Sequence, residues 1–200
     1  MIITAIKQQE RLKGRYSIYV DGKYAFSLSA ETLLDEKLHN GFEFDEQQLK
    51  AYKKLSQDDK AYGLALAYVA RRMRSEWELR DYFRRKGYEP ELADQLVDRL
   101  NRLGFVNDTK FAEAWVSNRR LLKPVSKRRL VQELKQKRIA ADVIDQVLQD
   151  DETSDRQVLQ EIIVRKRRQT KYQDNLKLMQ YLARQGFSYD DIKASLVEED

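Results

Sequence analysis

The chain has 200 residues, of which 42% are hydrophobic and 36% are charged, and its formal net charge is +5. So high a charged fraction, with only seven glycines and two prolines, is typical of long amphipathic helices rather than of a β-sandwich or barrel. There is no cysteine, which excludes disulfides and thiolate metal sites. No apolar run of about 18 residues occurs and the N-terminus lacks the pattern of a signal peptide, so we expect a cytoplasmic protein without a membrane span.

Positive charge is unevenly distributed along the chain. Residues 1–60 contain ten basic and ten acidic side chains, whereas residues 119–138 contain nine Lys or Arg against a single Glu. A concentrated basic surface is typical of proteins that bind a polyanion or an acidic protein. A solvated helix face that binds nothing is the alternative for any one cluster.

The first thirty residues predict a small β-sheet. The stretch RYSIYVDGKYAFSL alternates polar and apolar residues and is rich in Tyr, Ile, Val and Phe, as strands are. Asp21 and Gly22 separate its two halves and predict a type I′ hairpin turn, because both residues tolerate a positive φ. The segment ITAIKQ, near the N-terminus, is a candidate third strand.

Two short helices are predicted to follow the strands. The first begins at Ser29 or Ala30 and ends near Gly41. The second covers DEQQLKAYKKL, whose acidic first turn is favourable against the helix dipole. We interpret residues 1–57 as an N-terminal α/β cap with a two- to three-stranded antiparallel sheet and short helices, since so small a sheet needs a helix on one face to be stable.

The remainder of the chain is predicted to be helical. The segment AYGLALAYVARRM, at residues 61–73, places its apolar side chains on one stripe. The sequence SEWE that starts at Ser75 has the S-x-x-E pattern of a capping box, which predicts the beginning of a second helix. Gly87 ends that helix, and a third helix is predicted over residues 90–103.

The three-helix pattern then recurs twice. The apolar positions of residues 79–97 coincide with those of residues 130–148 at an offset of 51, and a third copy follows at an offset of 99. Any two amphipathic helices share some positions, but coincidence across two helices and their turn indicates a tandem repeat. We therefore predict a mainly α fold with a curved, elongated stack of three-helix repeats, whose bounds are 58–108, 109–155 and 156–200.

The sequence contains no recognisable catalytic pattern. His39 is the only histidine, and no phosphate-binding loop, hydrolase or zinc-protease motif is present. The acidic pairs Asp58-Asp59, Asp150-Asp151 and Asp190-Asp191 lie near predicted helix boundaries, where capping explains them without chemistry. We predict that the protein is not an enzyme and has no cofactor and no metal site.

Basic residues recur at the end of the first helix of each repeat, and the second repeat adds more. Cations near a helix C-terminus offset the negative end of its dipole, which is the structural alternative. Stacked repeats would align these clusters into a stripe suited to a phosphate backbone or an acidic groove. Their position at helix ends favours backbone contact without sequence readout. The candidate binding residues are Arg71, Arg72, Arg74, Arg119, Arg120, Lys123, Lys127, Arg128, Arg129, Lys135, Lys137, Arg138, Arg165, Lys166, Arg167 and Arg168.

The helical region resembles the bacterial RecX family of regulatory proteins in three motifs. These are Arg74-Ser75-x-x-Glu78-Leu79-x-x-x-Phe83-x-x-Lys86-Gly87, Gly104-Phe105-Val106-Asn107-Asp108-x-x-Phe111-Ala112-x-x-Trp115-Val116-x-x-Arg119, and Leu130-x-x-Glu133-Leu134-x-x-Lys137. The resemblance is strong over residues 60–200 and looser over the cap. One departure is Arg138, which stands where the second copy in the family usually has glycine.

The resemblance implies a regulator of the RecA recombinase that binds the RecA filament on single-stranded DNA in the cytoplasm. Family members typically restrain filament growth, strand exchange, ATP hydrolysis and co-protease activity, and thereby regulate DNA repair, homologous recombination and the SOS response. Many also bind DNA weakly and nonspecifically. No catalytic residues or cofactors come with the family, and we expect a monomer that does not bind membranes.

Two other functions fit the residues alone. One is a sequence-nonspecific DNA-binding module, which predicts tight, salt-dependent DNA binding without RecA. The other is a helical-repeat scaffold for an acidic partner protein, which predicts binding to neither DNA nor RecA. Composition does not separate these functions, and the motif match is what favours RecA regulation.

Overall fold

The computed structural model describes residues 1–197, which form a mainly helical protein with one small sheet, as predicted. The strands are β1 (Ile3–Gln8), β2 (Arg15–Val20) and β3 (Lys23–Ser29). The α-helices of the described residues are α1 (Ala30–Asp35), α2 (Glu46–Ala70), α3 (Glu76–Lys86), α4 (Pro90–Arg102), α5 (Asp108–Leu122), α6 (Lys127–Gln136), α7 (Ala141–Asp150), α8 (Asp155–Arg167), α9 (Asn175–Arg184) and α10 (Tyr189–Val197).

The sheet is antiparallel, with strand order β1-β2-β3. The third strand and the hairpin are confirmed. Asp21 has φ +48 and Gly22 has φ +80, so both central residues of the turn have the positive φ that a type I′ turn requires. The inner face of the sheet supplies Ile18, Phe26 and Leu28 to the cap core, where each is at most 3% exposed.

One long helix replaces two helices that the sequence predicted. Helix α2 runs without a break through residue 57, because SQDDK contains neither Gly nor Pro and its residues are compatible with a helix interior. It begins at the Asp45 capping box, in which the Asp45 carboxylate accepts from the Gln48 N–H at 2.7 Å. Tyr52 of this helix stacks on Phe26 with ring centroids 5.8 Å apart, which joins α2 to the sheet.

Asp59 therefore lies inside a helix and does not cap a helix boundary, contrary to the prediction. Its buried carboxylate accepts from the hydroxyls of Ser29 (2.6 Å) and Thr32 (2.7 Å) and from the Arg15 guanidinium (2.7 Å). Burial raises the pKa of Asp59, but these hydrogen bonds and the Arg15 charge outweigh it and hold the pKa below its usual value. The ionised carboxylate thus fixes the start of α1 against α2.

Helix α1 also ends earlier than the predicted position near Gly41. Lys37 has φ +53, and the Leu38 N–H donates to the Leu33 carbonyl at 3.3 Å, which closes a left-handed turn. The turn directs Leu38 into the cap core, where it is buried. Burial of this apolar side chain favours the early end of the helix over its continuation.

The chain divides into two compact units. The first consists of Met1–Arg72 and Gly87–Phe105, and it contains the sheet with α1, α2 and α4. The second consists of Met73–Lys86 and the residues from Val106 onward, and it contains α3 and α5–α10.

Two apolar clusters of the second unit follow the repeat that the sequence predicted. Leu130 and Leu134 of α6 are fully buried in one cluster, and Leu178 and Leu182 of α9 are fully buried in the other. These pairs occupy equivalent positions of successive copies, 48 residues apart. Each fully buried leucine contributes about 1.5–3 kcal/mol relative to an exposed one, so the repeated apolar positions are core positions.

The second unit contains the same junction twice. At the first, the Glu76 N–H that opens α3 donates to Asp108 at 2.8 Å, and the Ser75 hydroxyl donates to the carbonyl of Lys137, the C-cap of α6, at 3.2 Å. Asp108 is the first residue of α5, so its carboxylate completes the N-terminus of another helix. The start of α3 therefore lies against the end of α6.

The second junction uses the equivalent residues of the next copies. The Lys127 N–H that opens α6 donates to Asp155 at 2.8 Å, and the Ser126 N–H donates to the carbonyl of Gln185, the C-cap of α9, at 3.1 Å. Helices α9, α6 and α3 thus meet end to end, the C-terminus of each against the N-terminus of the next. This arrangement sets opposite ends of helix dipoles together, which is favourable.

A left-handed residue follows each of these three helices. Gly87 has φ +73, Arg138 has φ +58 and Gly186 has φ +96. Arg138 therefore keeps the turn of the family pattern without the glycine. At Gly186 glycine is required, because a Cβ atom would lie 2.4 Å from the Ser126 Oγ.

Candidate polyanion-binding surface

The structure places the sixteen predicted binding residues in both units and in different environments. Arg71 and Arg72 belong to the first unit, and the other fourteen belong to the second. Helix α2 ends at Ala70, so the basic cluster that begins at Arg71 follows the helix and does not form its last turn. In the second unit, the predicted residues divide into those with internal partners and those exposed to solvent.

Arg119 is part of a network around a buried carboxylate. Its guanidinium forms two hydrogen bonds with Glu133, at 2.8 and 3.0 Å, and the Trp115 indole N–H donates to the same carboxylate at 2.9 Å. Arg129 approaches Glu133 at 3.4 Å. Because Glu133 is only 7% exposed, removal of these cations would leave its buried carboxylate charge without a partner. Arg119 therefore has a structural role, which is to join α5 to α6.

Arg120 has a similar internal role in the same copy. Its guanidinium contacts Asp151 at 2.7 Å and donates to the Val125 carbonyl at 2.7 Å. Burial raises the pKa of Asp151, but the hydrogen bonds and charge of Arg120 outweigh it and hold the pKa below its usual value. The pair fixes the end of α7 against the end of α5.

Two predicted lysines also have internal partners. The Lys127 ammonium donates to the carbonyls of Leu148 (3.2 Å) and Asp151 (2.8 Å). The Lys137 ammonium contacts Glu78 at 2.7 Å, and it lies 5.3 Å from the centre of the Trp115 ring. Much of the positive charge in residues 119–138 is therefore compensated within the protein.

In the third copy, two residues of the basic cluster contact aromatic rings, backbone carbonyls and an Asn side chain. The Lys166 ammonium lies 5.1 Å from the centre of the Tyr172 ring and 4.6 Å from that of Tyr181. Arg167 donates to the Tyr172 carbonyl at 3.1 Å and to the Asn175 side chain at 2.5 Å. These contacts hold the connection between α8 and α9.

The remaining predicted residues are accessible to a ligand. Arg74 is half-buried, and the others are exposed. In the second repeat, exposed cations lie at the start of α6 and at its end. The exposed predicted residues are Arg71, Arg72, Lys123, Arg128, Lys135, Arg138, Arg165 and Arg168. Exposed ammonium and guanidinium groups at these positions can contact phosphates.

The basic last turn of α3 lies outside the set of predicted binding residues. Arg84, Arg85 and Lys86 are exposed there, and the two arginines form ion pairs with Asp81 of the same helix at 2.6 and 2.9 Å. The 51-residue offset aligns them with 135–137 at the end of α6, and this alignment was the available signal. The ends of the second helices, as well as the first, therefore carry cations.

The described residues offer no centre for metal chemistry. Within residues 1–197, no group of three His, Cys, Asp or Glu side chains could hold a metal ion. No helix of the described chain is long and apolar enough to cross a membrane. Exposed Lys and Arg at helix ends can act as point charges toward phosphates or carboxylates, which requires no cofactor.

Four family models match the chain in order. They are the regulatory protein RecX N-terminal domain over residues 1–45 and the first, second and third three-helix domains of RecX over 61–100, 107–148 and 155–196. Together they cover well over half of the sequence.

Curated relatives agree with these models. Regulatory protein RecX of Bacillus pumilus is 34% identical over 203 residues, which cover 98% of this chain and 76% of the relative. The Bacillus subtilis protein is 30% identical over 97% of this chain and 75% of the relative. The Lactobacillus johnsonii protein is 35% identical over 74% of this chain, and the match spans about half of its length, 54%.

Solved structures show the same fold. A crystal structure of regulatory protein RecX superposes with a TM-score of 0.74 at 27% identity, and the match covers 100% of this chain and 99% of the other. RecX from Lactobacillus salivarius matches with a TM-score of 0.59 at 20% identity over 70% of this chain and 95% of the other. The sequence motifs, the four domain models and the relatives at 30% identity or more lead to one conclusion: this chain belongs to the RecX family of regulatory proteins.

Proposed function

We propose that this protein binds the RecA filament on single-stranded DNA in the cytoplasm and modulates RecA, mainly by inhibiting its recombinase, ATPase and co-protease activities. The observation that carries the proposal is the match of all four RecX domain models in their order along the chain. Relatives that match nearly the whole chain are named regulatory protein RecX. The role would be regulation of DNA repair.

The repeated junction supports a mechanism based on a repeating partner. Ser75 and Ser126 occupy equivalent positions, and each donates a hydrogen bond to the C-cap carbonyl of a helix in the next copy, Ser75 from its hydroxyl and Ser126 from its backbone N–H, so equivalent helix ends recur along the chain. A RecA filament also presents equivalent surfaces at regular steps. A ligand that binds two neighbouring subunits in one relative arrangement stabilises that arrangement, and it therefore opposes the changes that turnover and growth require.

The exposed cations supply the contact in this proposal. Arg128, Lys135 and Arg138 lie along and just beyond α6, over about 15 Å at the rise of an α-helix. The internal pairs of Arg119 and Arg120 hold the helices that present them. Electrostatic contact of this kind predicts binding to acidic filament surface, to DNA phosphates or to both, with strong salt dependence.

The test is RecA's single-stranded-DNA-dependent ATP hydrolysis, titrated with this protein well below one copy per RecA subunit. Inhibition at such low ratios is the expected result, because a few bound copies suffice to block growth or to hold protomers. Inhibition only at ratios that coat the DNA would instead assign a sequence-nonspecific DNA-binding module. No effect at any ratio would refute the proposal and favour a scaffold for an acidic partner protein.

A further inference from the structure

The outer face of the cap sheet carries an exposed pair of aromatic side chains. Tyr19 of β2 and Tyr24 of β3 are direct cross-strand partners, and their ring centroids are 6.1 Å apart at an interplanar angle of 79°. Tyr24 is 59% exposed, and Tyr19 is half-buried. Tyr19 is next to the buried Ile18 and therefore lies on the opposite, outer face of the sheet. On β3 the register shifts at Ala25, so that Tyr24 pairs with Tyr19 on this outer face although it is only two residues from the buried Phe26.

One lysine, Lys7, lies beside this pair on the neighbouring strand β1, and a second, Lys23, lies at the hairpin tip, where it is the partner of Val20. The Lys7 ammonium of β1 is 5.3 Å from the centre of the Tyr19 ring, a diagonal position, since the direct partner of Lys7 is Ser17. Lys23, next to Tyr24, is exposed at the hairpin. Ala5, the direct partner of Tyr19 on β1, is a small residue, so the neighbour of the Tyr19 ring on that strand is Lys7.

The acidic group of this hairpin is already engaged. The Asp21 carboxylate accepts from the Ile2 N–H at 3.0 Å and thereby fastens the turn to the start of the chain. The Thr4 hydroxyl also accepts from the Gly22 N–H at 3.0 Å. The hairpin tip is thus held in place, and the outer face beside it presents two tyrosine rings and the Lys7 ammonium group.

The stability of the sheet alone does not require an exposed pair of tyrosines with a lysine beside it. A cross-strand aromatic pair adds roughly 0.2–1 kcal/mol, and β-branched residues also fit a half-exposed strand well. Exposed rings with flanking cations on an open sheet face are what single-stranded nucleic acid requires, because bases stack on the rings and phosphates contact the cations.

We propose that the outer face of the cap sheet, formed by Lys7, Tyr19 and Tyr24, binds single-stranded nucleic acid by base stacking. Tyr24 is the main stacking residue, and Tyr19 supports it. Recognition is independent of base sequence, since every base has a π-face. This site goes beyond the proposed regulation of RecA, and its binding requires no recombinase.

The test uses the full chain and an oligonucleotide of fifteen thymidines in which central positions are 5-iododeoxyuridine. Irradiation crosslinks the modified base to an adjacent side chain, and tryptic digestion locates the adduct. We expect an adduct on the peptide that begins at Tyr24, after cleavage at Lys23. Adducts that form solely on peptides of the three-helix domains would overturn the proposal.

Substitutions give a second readout, in which fluorescence anisotropy measures the Kd for labelled oligothymidine. The paired change Tyr19→Thr and Tyr24→Thr should weaken binding at least about fivefold, the lower bound for one lost stacking contact, whereas the corresponding Phe changes should preserve it. Tyr189→Thr is the control, because Tyr189 is 65% exposed on α10, outside the sheet. An unchanged Kd for the folded Thr variant, or an equal loss in the control, would refute the site.

Far-UV circular dichroism establishes whether the Thr variant is folded. If it is not, the Phe variant and the crosslink decide the question: retained binding together with an adduct on the Tyr24 peptide supports the site, and loss of either refutes it. Because the oligonucleotide assays contain no RecA, their failure leaves the ATPase test of the proposed regulation unaffected.

Discussion

The junction between the second and third copies provides the sharpest test of the structure. We predict that Gly186→Ala destabilises the protein far more than Gly87→Ala, although both glycines occupy the same position of the repeat. At Gly87, φ is +73 and a Cβ atom would meet nothing within 4 Å. At Gly186, φ is +96 and the Cβ would lie 2.4 Å from the Ser126 Oγ and 2.8 Å from the Arg129 Cβ.

The magnitudes follow from these contacts. A left-handed alanine costs about 1–2 kcal/mol, which is the whole expected effect of Gly87→Ala. At Gly186 the clash also displaces Ser126, which caps α6 through the Arg129 N–H and donates to the Gln185 carbonyl. Loss of a cap costs about 0.5–2 kcal/mol and loss of a hydrogen bond about 0.5–1.5 kcal/mol, so the total with the left-handed alanine is about 2–5.5 kcal/mol.

Urea denaturation followed by far-UV circular dichroism measures the two variants side by side. Amide hydrogen exchange gives a local readout, because the Ser126 N–H should lose protection in Gly186→Ala and keep it in Gly87→Ala. Equal destabilisation of both variants, with the Ser126 amide still protected, would show that α9 and α6 do not meet as described.

Three further predictions concern charges and the turn after α6. Arg128→Glu should weaken inhibition of RecA ATP hydrolysis about tenfold or more without a change in melting temperature. Lys110→Glu, a control at an exposed position on α5, should leave the inhibition unchanged. Full inhibition by the Arg128 variant would exclude this residue from the contact. Arg138→Gly should raise the free energy of unfolding by roughly 0.5–1 kcal/mol, since it relieves φ +58 at some cost in backbone entropy, and a decrease in the urea midpoint would contradict this. Asp151→Asn should lower the free energy of unfolding by about 1–3 kcal/mol at pH 7, because it removes the charged partner of Arg120. The pKa of Asp151 in the folded protein lies below its ordinary value, so this contribution to stability is present above about pH 4 and is lost as the pH falls through the folded pKa. The urea denaturation curves of the wild-type protein and the Asp151→Asn variant should therefore converge in acid. A difference between them that does not depend on pH would refute the prediction.

The sequence by itself determined the features that depend on neighbouring residues. Asp21 and Gly22 specified the hairpin because the turn needs two positive φ angles, and the alternation of polar and apolar residues specified the strands on either side of it. The recurrence of apolar positions at offsets of 51 and 99 specified the three-helix copies, since helical periodicity is a local property. The motifs around Ser75 and Gly104 gave the resemblance to the RecX family.

Helix continuity was harder to predict. The segment around Asp59 has no breaker, and its acidic pair resembles a cap, so the sequence suggested two helices where there is one. Asp59 meets Arg15, Ser29 and Thr32, which are 27 to 44 residues away in the chain. A buried carboxylate with such distant donors looks like an exposed capping residue until the fold brings the donors to it.

Only the tertiary structure decided which basic residues remain available for a partner. Lys137 and Lys135 are two residues apart, yet Lys137 pairs with Glu78, 59 residues away, while Lys135 is exposed. Arg120 likewise pairs with Asp151, 31 residues away, and is therefore less available to a partner. Local periodicity fixes where a helix begins and which face is apolar, but the compensation of a charge depends on the carboxylate that folding places beside it, and that carboxylate comes from another copy or another helix.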